Sequence, residues 1–259
     1  MSTQLLTTRE EPLLTLTISD PATRNTLSPE LYLAAIEALN MADGDAAIRA
    51  VILRGDGAHF CAGGHLGRIE AARQAPAQAQ HEAIQSFHAL IEAIRAFPKP
   101  VIAAVEGHAA GGGLSLALAC DLIVAAEDAR FTVSYGRVGL SPDGGATWHL
   151  ARNLPRATAL QWLWLAEPIP AARLLALGLV NELAPSGQAW AQAMALGRRL
   201  AQMAPNALAS VKELVNRGAS RSLSEQLLAE SAAFVDNLFQ ANAGEGLQAF
   251  RTKRPPRFE

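Results

Sequence analysis

Two glycine-rich loops and one aspartate carry the residue types in this chain best suited to chemistry. Ala62–Gly63–Gly64 lies in HFCAGGHLG, His59–Gly67, and Gly111–Gly113 lies in PVIAAVEGHAAGGGLSLALACD, Pro100–Asp121. Glycines that open a helix leave backbone N–H groups bare, and the helix dipole adds positive potential there. If the two loops converge, one N–H from each makes an oxyanion hole, in which losing a donor typically costs about 10²–10³ in rate. The triplet equally fits close packing of a helix on a strand. A phosphate loop is disfavoured: there is no G-x-x-x-x-G-K-[ST], and GHAAGGG at Gly107–Gly113 lacks the G-x-G-x-x-G spacing. Asp143, in Ser141–Pro142–Asp143–Gly144–Gly145, fits two roles, a general acid/base or the N-cap of a following helix. Ser115 has no G-x-S-x-G frame and reads as a small pocket-lining residue. No H-x-x-x-H and no carboxylate cluster points to a metal.

These loops need strands and helices to aim them. Leu13–Ser19 alternates apolar residues with Thr and Ser, as a half-buried strand does. Ser28–Pro29–Glu30 reads as N-cap, N1 proline and acidic first turn of a helix ending near Asp43–Gly44. Ala50–Arg54, Val101–Val105 and Leu122–Ala126 read as buried strands, with an extended piece at Phe131–Ser134 and a strand near Leu179–Leu183. Helices are expected at His81–Phe97 and Leu114–Ala119, with Val101–Val105 feeding the glycine triplet directly. Arg68–Gln85 is Ala/Gln-rich, broken by Pro76, and reads as polar, low-complexity and mobile. From Gln188 to Arg251 the pattern is wholly helical. No internal repeat is legible. The reading is α/β with a C-terminal helical extension.

The chain has 259 residues, of which 50% are apolar and 18% charged, enough to bury a substantial core. A net charge of −2 leaves no footprint for nucleic acid or an anionic membrane. Cys61 and Cys120 show no pairing pattern, which suits a reducing cytosol, and core packing is expected for Cys120. MSTQLLTTREEP lacks the basic and apolar regions of a signal peptide, and no apolar run reaches a membrane-spanning length, so the expected location is cytoplasmic.

DPATRNTLSPEL, HFCAGGHL, KPVIAAVEGHAAGGGLSLALACDLIVAAEDARF, GLSPDGGATWHLARNLP and EGLQAFRTKRPPRF occur in that order. On these motifs the chain resembles the crotonase superfamily, the enoyl-CoA hydratase/isomerase family, over nearly its whole length. GLSPDGG, Gly139–Gly145, is most similar to the 1,2-epoxyphenylacetyl-CoA isomerase-like branch. The resemblance implies a crotonase-like spiral of ββα units over 1–195 and a helical oligomerisation region over 196–259 that forms trimers or dimers of trimers. It implies an acyl-CoA thioester as substrate and no metal or redox cofactor, coenzyme A entering only with the substrate. It places the Gly64 and Gly112 amides in the oxyanion hole. Ala62, His65, Leu66, Gly111, Ser115, Tyr135 and Leu140 are implied around the acyl thioester, Arg24 near the CoA nucleotide, and Phe250 and Lys253 where the C-terminal segment approaches CoA. His65 also fits a loop-surface role. His108 fits the acyl pocket wall, and Trp148 and His149 fit packing.

The departures matter most. Hydratases of the family set two glutamates over the substrate; the corresponding positions here are Ser115 and Tyr135. Neither has a pKa suited to general base work near neutrality. The resemblance assigns the acid/base role to Asp143, where several isomerases of the superfamily carry their aspartate. One carboxylate with two N–H donors fits a double-bond shift through a dienolate better than water addition. Asp143 as a base for water or as a nucleophile gives the competing hydratase, hydrolase and dehalogenase readings; an RNA-binding or assembly role is disfavoured by the charge. The acyl group and the pathway, in phenylacetate or fatty-acid breakdown, stay open.

Overall fold

Uninterrupted apolar runs become central parallel strands because both of their faces are covered. The computed structural model describes residues 3–259, and in it six strands form one sheet. These are β1 (Gln4–Glu10), β2 (Leu13–Ser19), β3 (Ala50–Gly55), β4 (Val101–Val105), β6 (Leu122–Ala126) and β9 (Glu182–Ala184), paired in that order. The β1–β2 pair is antiparallel and the rest are parallel. A second sheet has the order β5 (His108–Ala110), β7 (Arg130–Thr132), β8 (Ile169–Pro170).

Strand alternation splits the core in two. Leu16, Val51, Leu53 and Val101 join the core with α1 (Pro29–Asp43) and α3 (Ala77–Ala96). Leu13, Ile52, Ile102 and Val124 pack with Ala193 and Met194 of α8 (Ala189–Leu200) on the other face. The expected start of α1 holds: Ser28 Oγ accepts the Leu31 N–H at 3.3 Å.

Four expectations are corrected. The Ala/Gln-rich stretch is helical, with α2 at Leu66–Ala72 and α3 beginning directly after Pro76, because Ala, Gln and Glu are strong helix formers without tertiary help. The triplet is delivered not by β4 but by β5, whose His-Ala-Ala sequence has little strand propensity and which is extended through its pairing with β7. The late strand lies at Glu182–Ala184, and β7 ends at Thr132, before a 3₁₀ turn at Ser134–Val138. Polar, exposed β1 was not foreseen at all. The successive pairs β4–β5 and β6–β7 each give one strand to either sheet, a ββ repeat written in backbone pairing rather than in residues.

The 195/196 boundary falls inside α8, which packs on the sheet. Beyond it lie α9 (Pro205–Gly218), α10 (Leu223–Leu238) and α11 (Ala241–Thr252). Lys212 pins α9 to the core, its Nζ 2.7 Å from Asp121 Oδ2 and 3.0 Å from the Ile94 carbonyl.

The helix α4 (Gly112–Ala119) contacts α5 (Ala146–Asn153), which is followed by α6 (Arg156–Leu165) and α7 (Ala171–Ala176). On α5, His149 is buried, as a packing role requires, while Trp148 is sandwiched between the Arg95 and Arg152 guanidinium groups. Burial first, then Arg95 and Arg152, lowers the His149 pKa to about 4. The unfolded chain therefore binds a proton here that the folded one does not, between about pH 6.5 and 4. Stability is full above that window and falls with pH through it, by on the order of 3 kcal/mol from this residue. Urea titrations of wild type and His149→Gln at pH 7 and pH 4.5 should show a smaller loss on acidification in the variant; equal losses would remove His149 as the cause.

Candidate active site

The loop that leaves β3 is sewn to β5. Cys61 N–H donates to the His108 carbonyl at 3.1 Å, and Ala110 N–H donates to the Cys61 carbonyl at 2.9 Å. On its other side, Ala62 N–H donates to the Arg24 carbonyl and Leu27 N–H donates to the Gly63 carbonyl, both at 2.9 Å. Gly63 sits at φ +86°, where a Cβ would stand 2.6 Å from the Ala110 oxygen and 2.9 Å from the Gly112 nitrogen. The two glycine loops therefore converge. Among the described residues, neither the Gly64 nor the Gly112 N–H has a protein acceptor. Gly112 is the first residue of α4, where N–H groups are free and the dipole is positive. The pair is fit to receive a partially charged oxygen.

Asp143 does not cap α5. The N-cap of α5 is Gly145, with no side-chain cap, and the Asp143 carboxylate accepts instead from the Tyr135 hydroxyl, at 2.5 Å on Oδ1. Ser115 Oγ donates to the Asp143 main-chain carbonyl at 2.9 Å. The next residue, Gly144, has φ +59°, and a Cβ there would be 2.4 Å from the Phe87 ring and 2.8 Å from Ser115 Cβ. Its N–H donates to His88 Nε2 at 3.2 Å. The Tyr135 ring also approaches the hole: a Cβ on Gly111 would lie 3.9 Å from two of its carbons. Ser115 and Tyr135, set apart in sequence, thus both bond Asp143.

Burial raises the Tyr135 pKa, and the Asp143 charge and their hydrogen bond raise it further. Tyr32 is raised by burial and then by Asp143, and its ring centroid lies 5.2 Å from that of Phe87. Both phenols stay protonated at neutral pH. Cys61 is wholly buried, its thiol pushed up to about 12 by burial, and is no nucleophile.

Other expected site residues divide. His65 caps α2, its Nδ1 accepting the Arg68 N–H at 3.3 Å, an arrangement that suits the loop role. Leu66 and Leu140 are exposed on α2 and after the 3₁₀ turn. Arg24 is exposed beside Ala62, and its charge adds to burial and His108 in lowering the His59 pKa. His108 lies against His59, their tilted rings 5.1 Å apart between centroids. Phe250 and Lys253 lie at the end of α11, Phe250 being 86% exposed.

Sequence reasoning missed the apolar wall. A Cβ on Gly112 would meet Leu27 Cδ1 at 2.9 Å and Phe87 at 3.5 Å, and one on Gly64 would meet Ile69 Cδ1 at 3.1 Å. Leu27, Ile69, Tyr32 and Phe87 look like any core residue in sequence. Arg68 Nη2 donates to the Leu27 carbonyl and ties α2 to this wall.

The enoyl-CoA hydratase/isomerase family model matches residues 8–259. The chain is 32% identical to 1,2-epoxyphenylacetyl-CoA isomerase of Escherichia coli K12, over 96% of this chain and 95% of the relative. It is also 32% identical to the same organism's 2,3-dehydroadipyl-CoA hydratase, over 99% and 98%. The crystal structure of an enoyl-CoA hydratase from Polaromonas sp. JS666 superposes with a TM-score of 0.98 at 52% identity, covering 98% of this chain and 99% of that one.

If convergence of the loops makes the site, Gly63→Ala should lower kcat/KM by roughly 10²–10³ by displacing the hole. Circular dichroism should still report the native helix content. Wild-type activity in that variant would disconnect the loops from function.

Proposed function

The chain belongs to the enoyl-CoA hydratase/isomerase family, and from that premise we propose that it shifts a C=C bond of an enoyl-CoA, or isomerises a ring-derived acyl-CoA, with Asp143 as the acid/base. The observation that supports the reading is the Asp143 carboxylate, which accepts from the Tyr135 hydroxyl while Ser115 holds the Asp143 main-chain carbonyl, Tyr135 and Ser115 standing at the two positions where the resemblance places the hydratases' glutamates.

The thioester oxygen lies between the Gly64 and Gly112 N–H groups. Asp143 takes a proton from C2 of a 3-enoyl-CoA, and the charge passes to the thioester oxygen as a dienolate. Two preorganised donors at a helix start stabilise that charge without reorganising. The same carboxyl then returns the proton to C4, and the double bond rests between C2 and C3. Only protons move, so the reaction asks for no metal or redox cofactor; coenzyme A is the handle of the substrate. Leu27, Ile69 and Phe87 shield the dienolate from water, which favours return of the proton over hydration.

The hydratases among the relatives favour a second reading, in which Asp143 activates water. That reaction needs a further acid or base beside it, and the neighbouring groups are phenols whose protons are held more tightly than usual. A nucleophilic Asp143 would instead take oxygen-18 from solvent water into the protein.

The same proposal takes the functional unit to be a homotrimer or a dimer of trimers. Leu227, Leu228, Phe234, Val211 and Val215 leave a broad apolar face on α9 and α10 exposed. Phe250 and Lys253 would then serve a neighbouring subunit's CoA, and Arg24 the CoA nucleotide of its own. Among the described residues no helix is long and apolar enough to cross a membrane, and the proposed location is cytoplasmic.

Asp143→Asn should reduce conversion of 3-hexenoyl-CoA and its C2 deuterium exchange in D₂O by roughly 10²–10⁴, with the protein still folded. Undiminished exchange in that variant would refute the assignment.

A further inference from the structure

Asp143 and Gly144 are held through both backbone and side chain. Three bonds from three different elements fix three parts of one short segment. The 3₁₀ turn supplies the Tyr135 hydroxyl to the carboxylate at 2.5 Å. The helix α4 supplies Ser115 Oγ to the Asp143 carbonyl at 2.9 Å. The helix α3 supplies His88 Nε2, which accepts the next N–H, that of Gly144, at 3.2 Å. Oδ2 receives no protein donor among the described residues.

We propose that Tyr135 is the positioning residue of the acid/base carboxylate: by donating to Oδ1 it holds Asp143 oriented, so that Oδ2 alone carries the proton between the two carbons. The inference rests on the reading of Asp143 given above. A donor to the charged form favours that form, and a bond to an ionised acceptor is among the stronger ones a side chain makes. The phenol must itself remain protonated to act this way, and burial together with the Asp143 charge ensures it. The Tyr135 ring lies between Gly111 and the carboxylate, so one rigid side chain sets the distance from hole to base.

The proton balance is simple. The C2–H bond breaks, its electron pair becomes the C2=C3 bond, and the C3=C4 pair forms the new C4–H bond. Oδ2 gains and then loses that proton, while the phenol keeps its own throughout. The groups facing Asp143 are Tyr135 from the turn, Tyr32 from α1, Ser115 from α4, and His88 from α3 through Gly144. Arg68 of α2 faces Tyr32. With the phenol removed, none of these is placed on the carboxylate as a hydrogen-bond donor.

Tyr135→Phe, assayed on 3-hexenoyl-CoA, should lower kcat roughly 10- to 100-fold with KM unchanged. The acid limb of its kcat/KM profile should move to higher pH, because a donor that favours the charged carboxylate is lost. The chain has two tyrosines, so 3-fluorotyrosine labels only Tyr32 and Tyr135, and Tyr32→Phe assigns the spectrum even if Tyr135→Phe does not fold. The Tyr135 fluorine resonance should titrate with the midpoint of the acid limb, and that step should vanish in Asp143→Asn. Wild-type kcat and an unmoved acid limb in Tyr135→Phe would overturn the proposal, as would a Tyr135 resonance blind to Asp143. Should Asp143→Asn stay active, the acid/base reading itself fails; should it be inert while Tyr135→Phe is normal, only the positioning role fails.

Discussion

Everything at this site depends on two backbone segments approaching more closely than side chains allow. The segment Cys61–Gly64 lies against Ala109–Gly113 through main-chain hydrogen bonds and a bridge between Cys61 and Ala109. A Cβ on Gly113 would stand 2.3 Å from the Cys61 carbonyl, and one on Gly63 would intrude on Gly112. The parallel pairing of β3 with β4 brings the chain out at the same end of the sheet after each strand. Bare glycine backbone lets the two loops touch once there. The cost is conformational entropy lost at each glycine, offset by the apolar packing of Phe60 and Phe131, both fully buried beside the loops.

The second constraint is electrostatic. The segment that carries Asp143 lies against Phe87 and its charge is felt at Tyr32, so the hydrogen-bond partners of the carboxylate matter to its chemistry. Here the hydrogen-bond partner of the carboxylate is one neutral hydroxyl, that of Tyr135. A paired glutamate site can divide water activation and proton delivery between two groups. On the proposed reading, a lone carboxylate with one hydroxyl donor has one proton to move, and a dienolate at the hole would give it two carbons between which to move it. The helix starts at Gly112 and Ala146 flank this arrangement, so the positive ends of α4 and α5 both lie near developing negative charge.

Much of this was legible in the residues. Ser28 before Pro29 marks a helix start, Ala50–Arg54 has no polar face to expose, and the two glycine clusters stand where donors are needed. What did not read was whatever arises from pairing between distant segments. Strand β5 is His-Ala-Ala, extended because β7 and Cys61 bind its backbone. Strand β1 lies at the sheet edge, and its exposed polar residues resemble a loop. Phe87 shows the ordinary helical period of a core residue, and nothing in that period tells an active-site wall from any other wall. The bond between Tyr135 and Asp143 crosses a 3₁₀ turn of five residues, a spacing with no helical or strand periodicity to reveal it. The family's motif order located both residues; only the folded chain joined them.

The most direct test of the single-carboxylate account is how the wild-type protein partitions substrate between proton transfer and water addition. Incubated in D₂O with 3-hexenoyl-CoA and, separately, with crotonyl-CoA, and followed by mass spectrometry and NMR, it should convert the first to 2-hexenoyl-CoA and leave the second unhydrated. Hydration of crotonyl-CoA without a shift of the 3-enoyl bond would contradict the account and show that a second group shares the work assigned to Asp143.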